Sequence, residues 1–244
     1  MNTMTTVQTT FRALTPPATG SLRRTAILVA ASGALLLSAC GDISISFGDP
    51  NAVVGSGVRA SESRAVAAFT AIDASGVGSL KLRVGDAEGL KITADDNLLP
   101  KIKSEVKNGV LILSSTSAVH SKNDIVYEVT AKSIQRIENS GTVSIDASGF
   151  NGGTLKIDTS GVGSTLLAGR VESLKVDLSG VGSIDAEHLV ADKVDAQLSG
   201  VGSGTVRAEK SIRADVSGVG SLSWKGAATD VSTSVSGVGR VSKD

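Results

Sequence analysis

The sequence predicts an all-β fold, a right-handed parallel β-helix-like solenoid with coils of about 19 residues and a strand-rich N-terminal cap. Three observations predict it. Ser-Gly-Val-Gly occurs six times, starting at Ser75, Ser160, Ser179, Ser199, Ser217 and Ser236, and from Ser160 onward the spacings are 19, 20, 18 and 19 residues. Between copies, apolar residues fall at alternate positions, the period of a half-buried strand, and no stretch there has a helical period. A unit this short cannot bury its own apolar face, so each unit must stack on the next. A β-sandwich and an antiparallel meander are the alternatives, and neither explains so regular a period.

Composition narrows the function. Lys plus Arg and Asp plus Glu both number 24 in 244 residues, so no net field recruits nucleic acid. A hydrophobic content of 41% excludes a disordered tail, and 28 glycines without a G-X-Y period exclude collagen. One cysteine excludes an intrachain disulfide and a multi-cysteine metal cluster. No metal site and no cofactor is expected.

In chain order, residues 1–39 come first. Arg23 and Arg24 precede the uncharged run Thr25 to Ser38, which is too short to span a bilayer core, where about 20 residues are needed. A basic start, a short apolar stretch and small residues after it mark a secretory signal. Leu37-Ser38-Ala39-Cys40 resembles the bacterial lipoprotein lipobox, and the chain's single cysteine stands at its last position. The resemblance implies cleavage after Ala39 and lipid on the Cys40 thiol and new amino group. Acyl chains contribute about 0.8 kcal/mol per buried methylene, and two or more anchor stably. The expected location is therefore the cell envelope, with the membrane as a partner through Cys40. Gly41, rather than aspartate, follows the cysteine, which by the same resemblance favours the outer membrane.

Loss of the signal removes three arginines and no acid, leaving a net charge of −3. Residues 40–65 are rich in Gly, Ser, Asp and Asn and read as a flexible tether. Residues 66–130 read as the cap. Leu80 to Val84 and Leu90 to Thr93 alternate, Asp95-Asp96-Asn97 forms a turn, and Asn108-Gly109 between two apolar runs signals a hairpin.

Residues 131–244 read as the solenoid, continuous with the cap. Ser140-Gly141-Thr142-Val143 is a degenerate copy of the motif. Five, three and one residues before each serine stand mostly apolar residues, such as Leu174, Val176 and Leu178, which should face the core. Four before stand Arg136, Lys156, Lys175, Asp195, Arg213 and Ser232; two before stand Glu138, Asp158, Asp177, Gln197, Asp215 and Ser234. Stacked, these form a largely basic ladder beside a largely acidic one. Like charges near 5 Å repel by about 1 kcal/mol in water, which the opposite ladder offsets. Asp158, Asp177 and Asp215 are the candidate interaction ladder; a self-neutralised solvated face is the plainer reading. The motif valines have two possible directions. A straight strand would turn them outward as an exposed stripe, whereas a glycine at positive φ would turn them inward, and corner-like glycines this regular make inward packing the expectation.

Phe69-Thr70-Ala71-Ile72, Val77-Gly78, Ile92 to Leu98 and Asn108 to Ile112 resemble the opening of the putative auto-transporter adhesin head GIN domain family, and the later Ser-Gly-Val-Gly rungs are similar too, over residues 66 to 225. The resemblance implies a secreted or lipid-anchored bacterial envelope protein with a β-helical fold and no assigned activity or functional residues. A non-catalytic binding or adhesin-like module, meeting an unidentified envelope or surface partner, is the first reading. A passive structural envelope component and a β-helix enzyme cleaving polysaccharide are the alternatives. The enzyme has little to build on, because His120 and His188 have no metal-ligand spacing and the carboxylates recur with the repeat. Trp224 falls at an inward position.

Overall fold

The computed structural model describes residues 51–244. Ala39 and Cys40, and with them the signal and the first part of the tether, lie outside the described residues. No α-helix occurs among the described residues, and no helix there is long and apolar enough to cross a membrane.

The described residues form eighteen strands. The cap contains β1 (Val53–Val54), β2 (Arg59–Arg64), β3 (Ala71–Ala74), β4 (Val77–Val84), β5 (Gly89–Asp95), β6 (Ile102–Lys107), β7 (Val110–Ser115), β8 (Val119–His120) and β9 (Val126–Ala131). The solenoid contains β10 (Arg136–Asn139), β11 (Thr142–Asn151), β12 (Thr154–Thr159), β13 (Val162–Leu178), β14 (Val181–Leu198), β15 (Val201–Val216), β16 (Val219–Lys225), β17 (Asp230–Val235) and β18 (Val238–Lys243). Every strand pair within it is parallel. The long strands β13, β14 and β15 each run through most of one coil, with register shifts partway.

The register follows the repeat. Lys156 pairs with Lys175 and Asp158 with Asp177, then Val162 with Val181 and Val181 with Val201. The alternation puts Leu155, Ile157, Leu174, Val176, Leu178, Val194, Ala196, Leu198, Ile212 and Ala214 in the core, each under 5% exposed. Trp224 is also buried, with the Lys243 Nζ 4.6 Å above its ring, a cation–π contact.

The gap between Ser75 and Ser140 is filled by an excursion of the chain. β3 and β4 form a rung, the chain leaves to build the cap, and β10 and β11 then return to stack on β3 and β4. On the other side of that rung, β7 pairs with β3 and β9 with β4, both parallel. Antiparallel strands finish the cap, with β6 on β7, and β5 and then β2 beyond β9. The β6–β7 connection is the expected Asn108-Gly109 hairpin, with φ of 51° and 76°, the positive values that a tight turn matching strand twist requires.

The tether reading ends earlier than expected. Residues 53–64 are built into the cap, with β1 paired to β8 and β2 to β5. Their sequence lacks an apolar run because they are held by polar contacts instead. Asp95 is fully buried and accepts hydrogen bonds from the backbone N–H of Lys122 (2.8 Å), the Ser121 hydroxyl (3.1 Å) and Asn123. Next to it, Asp96 accepts from the Ser56 hydroxyl (2.5 Å), and Asn97 accepts from Ser56 N–H (2.8 Å) and donates to the Val54 carbonyl (2.8 Å). The expected Asp95-Asp96-Asn97 turn is thus the knot that ties two distant segments to the cap.

The valine expectation is overturned. Val77, Val162, Val181, Val201 and Val219 point outward. The glycines of the motif answer close stacking, and the second glycine also takes a positive φ (134° at Gly78, 150° at Gly163), yet neither turns the valine inward. At the corner, Ser179 and Gly180 both donate to the Thr159 carbonyl (2.9 and 3.0 Å), and a Cβ on Gly180 would sit 2.0 Å from the Gly161 carbonyl oxygen. Past the corner the in–out alternation holds through the second glycine, which sends the valine to solvent.

Candidate interaction face

Strand alternation sets what the solenoid presents to solvent. On the strand leaving each corner, the motif valine, the serine two residues on and the residue two further on share the outer face. The valines stack in one column, Val77, Thr142, Val162, Val181, Val201, Val219 and Val238, each the register partner of the next. Among them Val77, Val162, Val181, Val201 and Val219 are 44–52% exposed and Val238 is 75% exposed. A β-branched side chain has few rotamers to lose, so such a column is stiff.

Beside it runs a hydroxyl column, Ser79, Ser144, Ser164, Ser183, Ser203 and Ser221. Adjacent hydroxyls touch at Ser164 and Ser144 (3.5 Å). On the other side of the corner lie the motif's leading serines, of which Ser140, Ser160, Ser179, Ser199 and Ser217 are exposed. The result is an apolar stripe bordered by hydroxyls, with formal charge kept at least one column away over most of its length.

The acidic ladder stands where the sequence puts it. Glu138, Asp158, Asp177, Gln197, Asp215 and Ser234 are successive register partners. Asp158 is held by two cations, the Arg136 Nε at 2.9 Å and the Lys156 Nζ at 2.8 Å, while Arg136 also reaches Glu138 at 2.7 Å. Such half-exposed pairs contribute about 0–1 kcal/mol each. Among the described residues Asp177 and Asp215 form no ion pair, so neutralisation is local to the cap-proximal rungs. The ladder also extends one rung further than the sequence indicated, because Asp73 pairs with Glu138. Burial and then the Glu138 charge raise the Asp73 carboxyl above its ordinary value, against the pull of Arg136. The basic ladder is interrupted at Asp195, between Lys175 and Arg213, where one carboxylate oxygen is buried without a partner.

His120 and His188 are exposed and lie in different parts of the fold, and no cluster of three metal-ligating side chains occurs among the described residues. The one feature of this face that sequence reasoning placed wrongly is the valine column. The signal for it was present in the strict alternation through Val181, Ser183 and Asp185, which a straight strand alone satisfies.

A family model described as putative auto-transporter adhesin, head GIN domain, matches residues 68–228. Among solved structures, the chain is similar to a putative adhesin from Bacteroides fragilis, with 27% identity and a TM-score of 0.66 over 79% of this chain and 100% of that one. It is also similar to a putative adhesin from Parabacteroides merdae, with 20% identity and a TM-score of 0.48 over 79% of this chain and 98% of that one. No curated protein matches the sequence.

Proposed function

The chain belongs to the putative auto-transporter adhesin, head GIN domain family, and from that premise we propose that it is a non-catalytic adhesive module, held at the cell envelope by lipid on Cys40, that binds through the valine–serine stripe. The observation that carries this reading is the column of outward valines in continuous register. A contiguous apolar stripe on a soluble head is uncommon and usually marks a contact surface. The rungs repeat at roughly 4.8 Å, so methyl groups and hydroxyls recur with the regularity of the fold itself. Asp158, Asp177 and Asp215 border the stripe across the corner and would set the electrostatic edge of the contact with an envelope or surface partner.

The anchor reading rests on Leu37-Ser38-Ala39-Cys40, with Gly41 favouring the outer membrane. Replacing Cys40 with Ser should leave an unprocessed or soluble precursor, and a normally lipidated product would refute the anchor. For the stripe, the variant Val181→Thr/Val201→Thr/Val219→Thr should keep its thermal melt while cell attachment falls. Unchanged attachment by a folded, normally displayed variant would overturn the adhesive reading in favour of a passive envelope component.

A further inference from the structure

We propose that the cap carries a second binding site, an open groove suited to an acidic saccharide whose carboxylate is taken by Arg83 and Lys81. The groove encloses about 580 Å³, within the size range of small-ligand sites, and lies on the outer face of neighbouring strands β2, β5, β9, β4 and β11. Its side chains are polar, since Leu82, Leu90 and Val129 of its floor turn into the core and are at most 4% exposed.

Charge decides the ligand class. Arg64 is occupied, donating to the carbonyls of Ile102 (2.8 Å) and Leu99 (2.9 Å) and pairing with Glu62 (3.1 Å). Lys91 pairs with Glu128 at 3.0 Å. Lys81 and Arg83 are exposed and form no ion pair among the described residues, and they project from the same strand face two residues apart. The register places Ser148 and Thr130 on either side of Arg83, and Asp146 and Glu128 on either side of Lys81. A guanidinium forks onto a carboxylate through two parallel bonds, with Lys81 adding a point charge. Asp146 and Glu128 accept hydrogen bonds from sugar hydroxyls, and Ser148 and Thr130 both donate and accept. A phosphate dianion suits the groove less, because the same two carboxylates would repel its second charge. An apolar ligand would meet little beyond the aliphatic stems of Lys81, Arg83 and Lys91.

The site goes beyond the stripe reading and stands without it, although β4 carries both, with Val77 and Ser79 at the stripe and Lys81 and Arg83 in the groove. The test is calorimetric titration of the full chain in detergent with trigalacturonic acid and with its neutral methyl ester. The acid should bind, and its affinity should fall about tenfold or more for the methyl ester and for Lys81→Gln/Arg83→Gln, the loss expected when charge-assisted bonds are removed. Arg83→Lys, which keeps charge but not the fork, should fall between, and Lys103→Gln/Lys175→Gln should bind as the parent does. Absence of acid binding, equal binding of the ester, or an equal loss in the Lys103/Lys175 control would each overturn the proposal. Retained binding in the valine-to-threonine stripe variant is expected, so failure of the stripe and failure of the groove are separate results.

Discussion

Tyr127 and Asp95 show how single side chains hold the cap, and both can be followed by titration. Tyr127 is buried under the first rung, with its hydroxyl 3.4 Å from the Val77 carbonyl, and burial pushes its phenol up to about 12, slightly moderated by Arg64. It is the only tyrosine in the chain, so phenolate absorbance reports it alone. The folded protein should titrate near 12 and the denatured protein near the ordinary value of 10.0. Because the folded value is the higher, the neutral phenol's contribution is complete below pH 10 and is lost as pH rises through about 12. Titration near 10 in the folded protein would remove Tyr127 from the core. Asp95 has the opposite sign. Burial is the strongest influence and raises its carboxyl, but hydrogen bonds from Lys122, Asn123 and Ser121 together outweigh it and hold the group below its ordinary 3.8. Its contribution is therefore complete above that ordinary value and is lost as pH falls through the lower folded value. Hydrogen exchange in residues 53–64 and 119–123 should accelerate over that acid range before exchange in the solenoid does, and Asp95→Asn should give the same acceleration already at neutral pH.

The individual rung explains which residues of Ser-Gly-Val-Gly are indispensable. The degenerate copy is a substitution made within the molecule: Ser140-Gly141-Thr142-Val143 keeps the first glycine, replaces the valine by Thr142 and fills the second glycine with Val143, which is buried. A Cβ at the first glycine collides with a backbone carbonyl of the rung below, 2.1 Å at Gly141 and 2.0 Å at Gly180, and backbone cannot swing aside as a side chain can. The second glycine is as crowded, 1.8 Å at Gly182, and its positive φ is given up where Val143 replaces it. Gly180→Ala should thus destabilise by about 2–3 kcal/mol, measured by denaturant unfolding, whereas Val181→Thr on the open face should stay within about 0.5 kcal/mol. A costly Val181→Thr would mean that the valine column packs inside after all. The same contrast explains what was legible beforehand. Core positions such as Leu174, Val176 and Leu178 were readable because period 2 is a property of any strand. The valine direction was not, because a glycine needed for positive φ and one needed for close approach look alike in sequence, and here the second glycine serves both without turning the valine inward. Residues 59–64 (Arg-Ala-Ser-Glu-Ser-Arg) were misread as tether for a related reason, since their place in the sheet is fixed by pairing with β5 and by Arg64 bonds rather than by apolar pattern. The candidate acidic column was legible in full register, yet its pairing at Asp158 and lack of pairing at Asp177 depend on side-chain reach that spacing does not encode.

At the scale of the molecule, stability should behave as a sum over neighbouring rungs, because each solenoid strand hydrogen-bonds only to the rung before and the rung after. Removing residues 179–198 tests this directly. The cut joins Leu178 to Ser199, so the chain still reads into Ser-Gly-Val-Gly, the core alternation is preserved, and Leu178 keeps its partner type because Leu198 occupies the equivalent position in the next rung. The losses are peripheral: Asp192 no longer bridges Arg170 and Lys210, and Lys225 loses Glu187. All three are surface pairs, worth about 0–1 kcal/mol apiece. The shortened chain should retain its strand content by circular dichroism and melt cooperatively, with a smaller denaturant m-value in proportion to the surface no longer buried. Removing residues 179–187 instead leaves half a coil, places the remainder of β14 against the wrong side of β13, and should abolish cooperative melting. If the whole-rung deletion also unfolds, the rungs are not interchangeable, and the fold depends on contacts reaching beyond nearest neighbours.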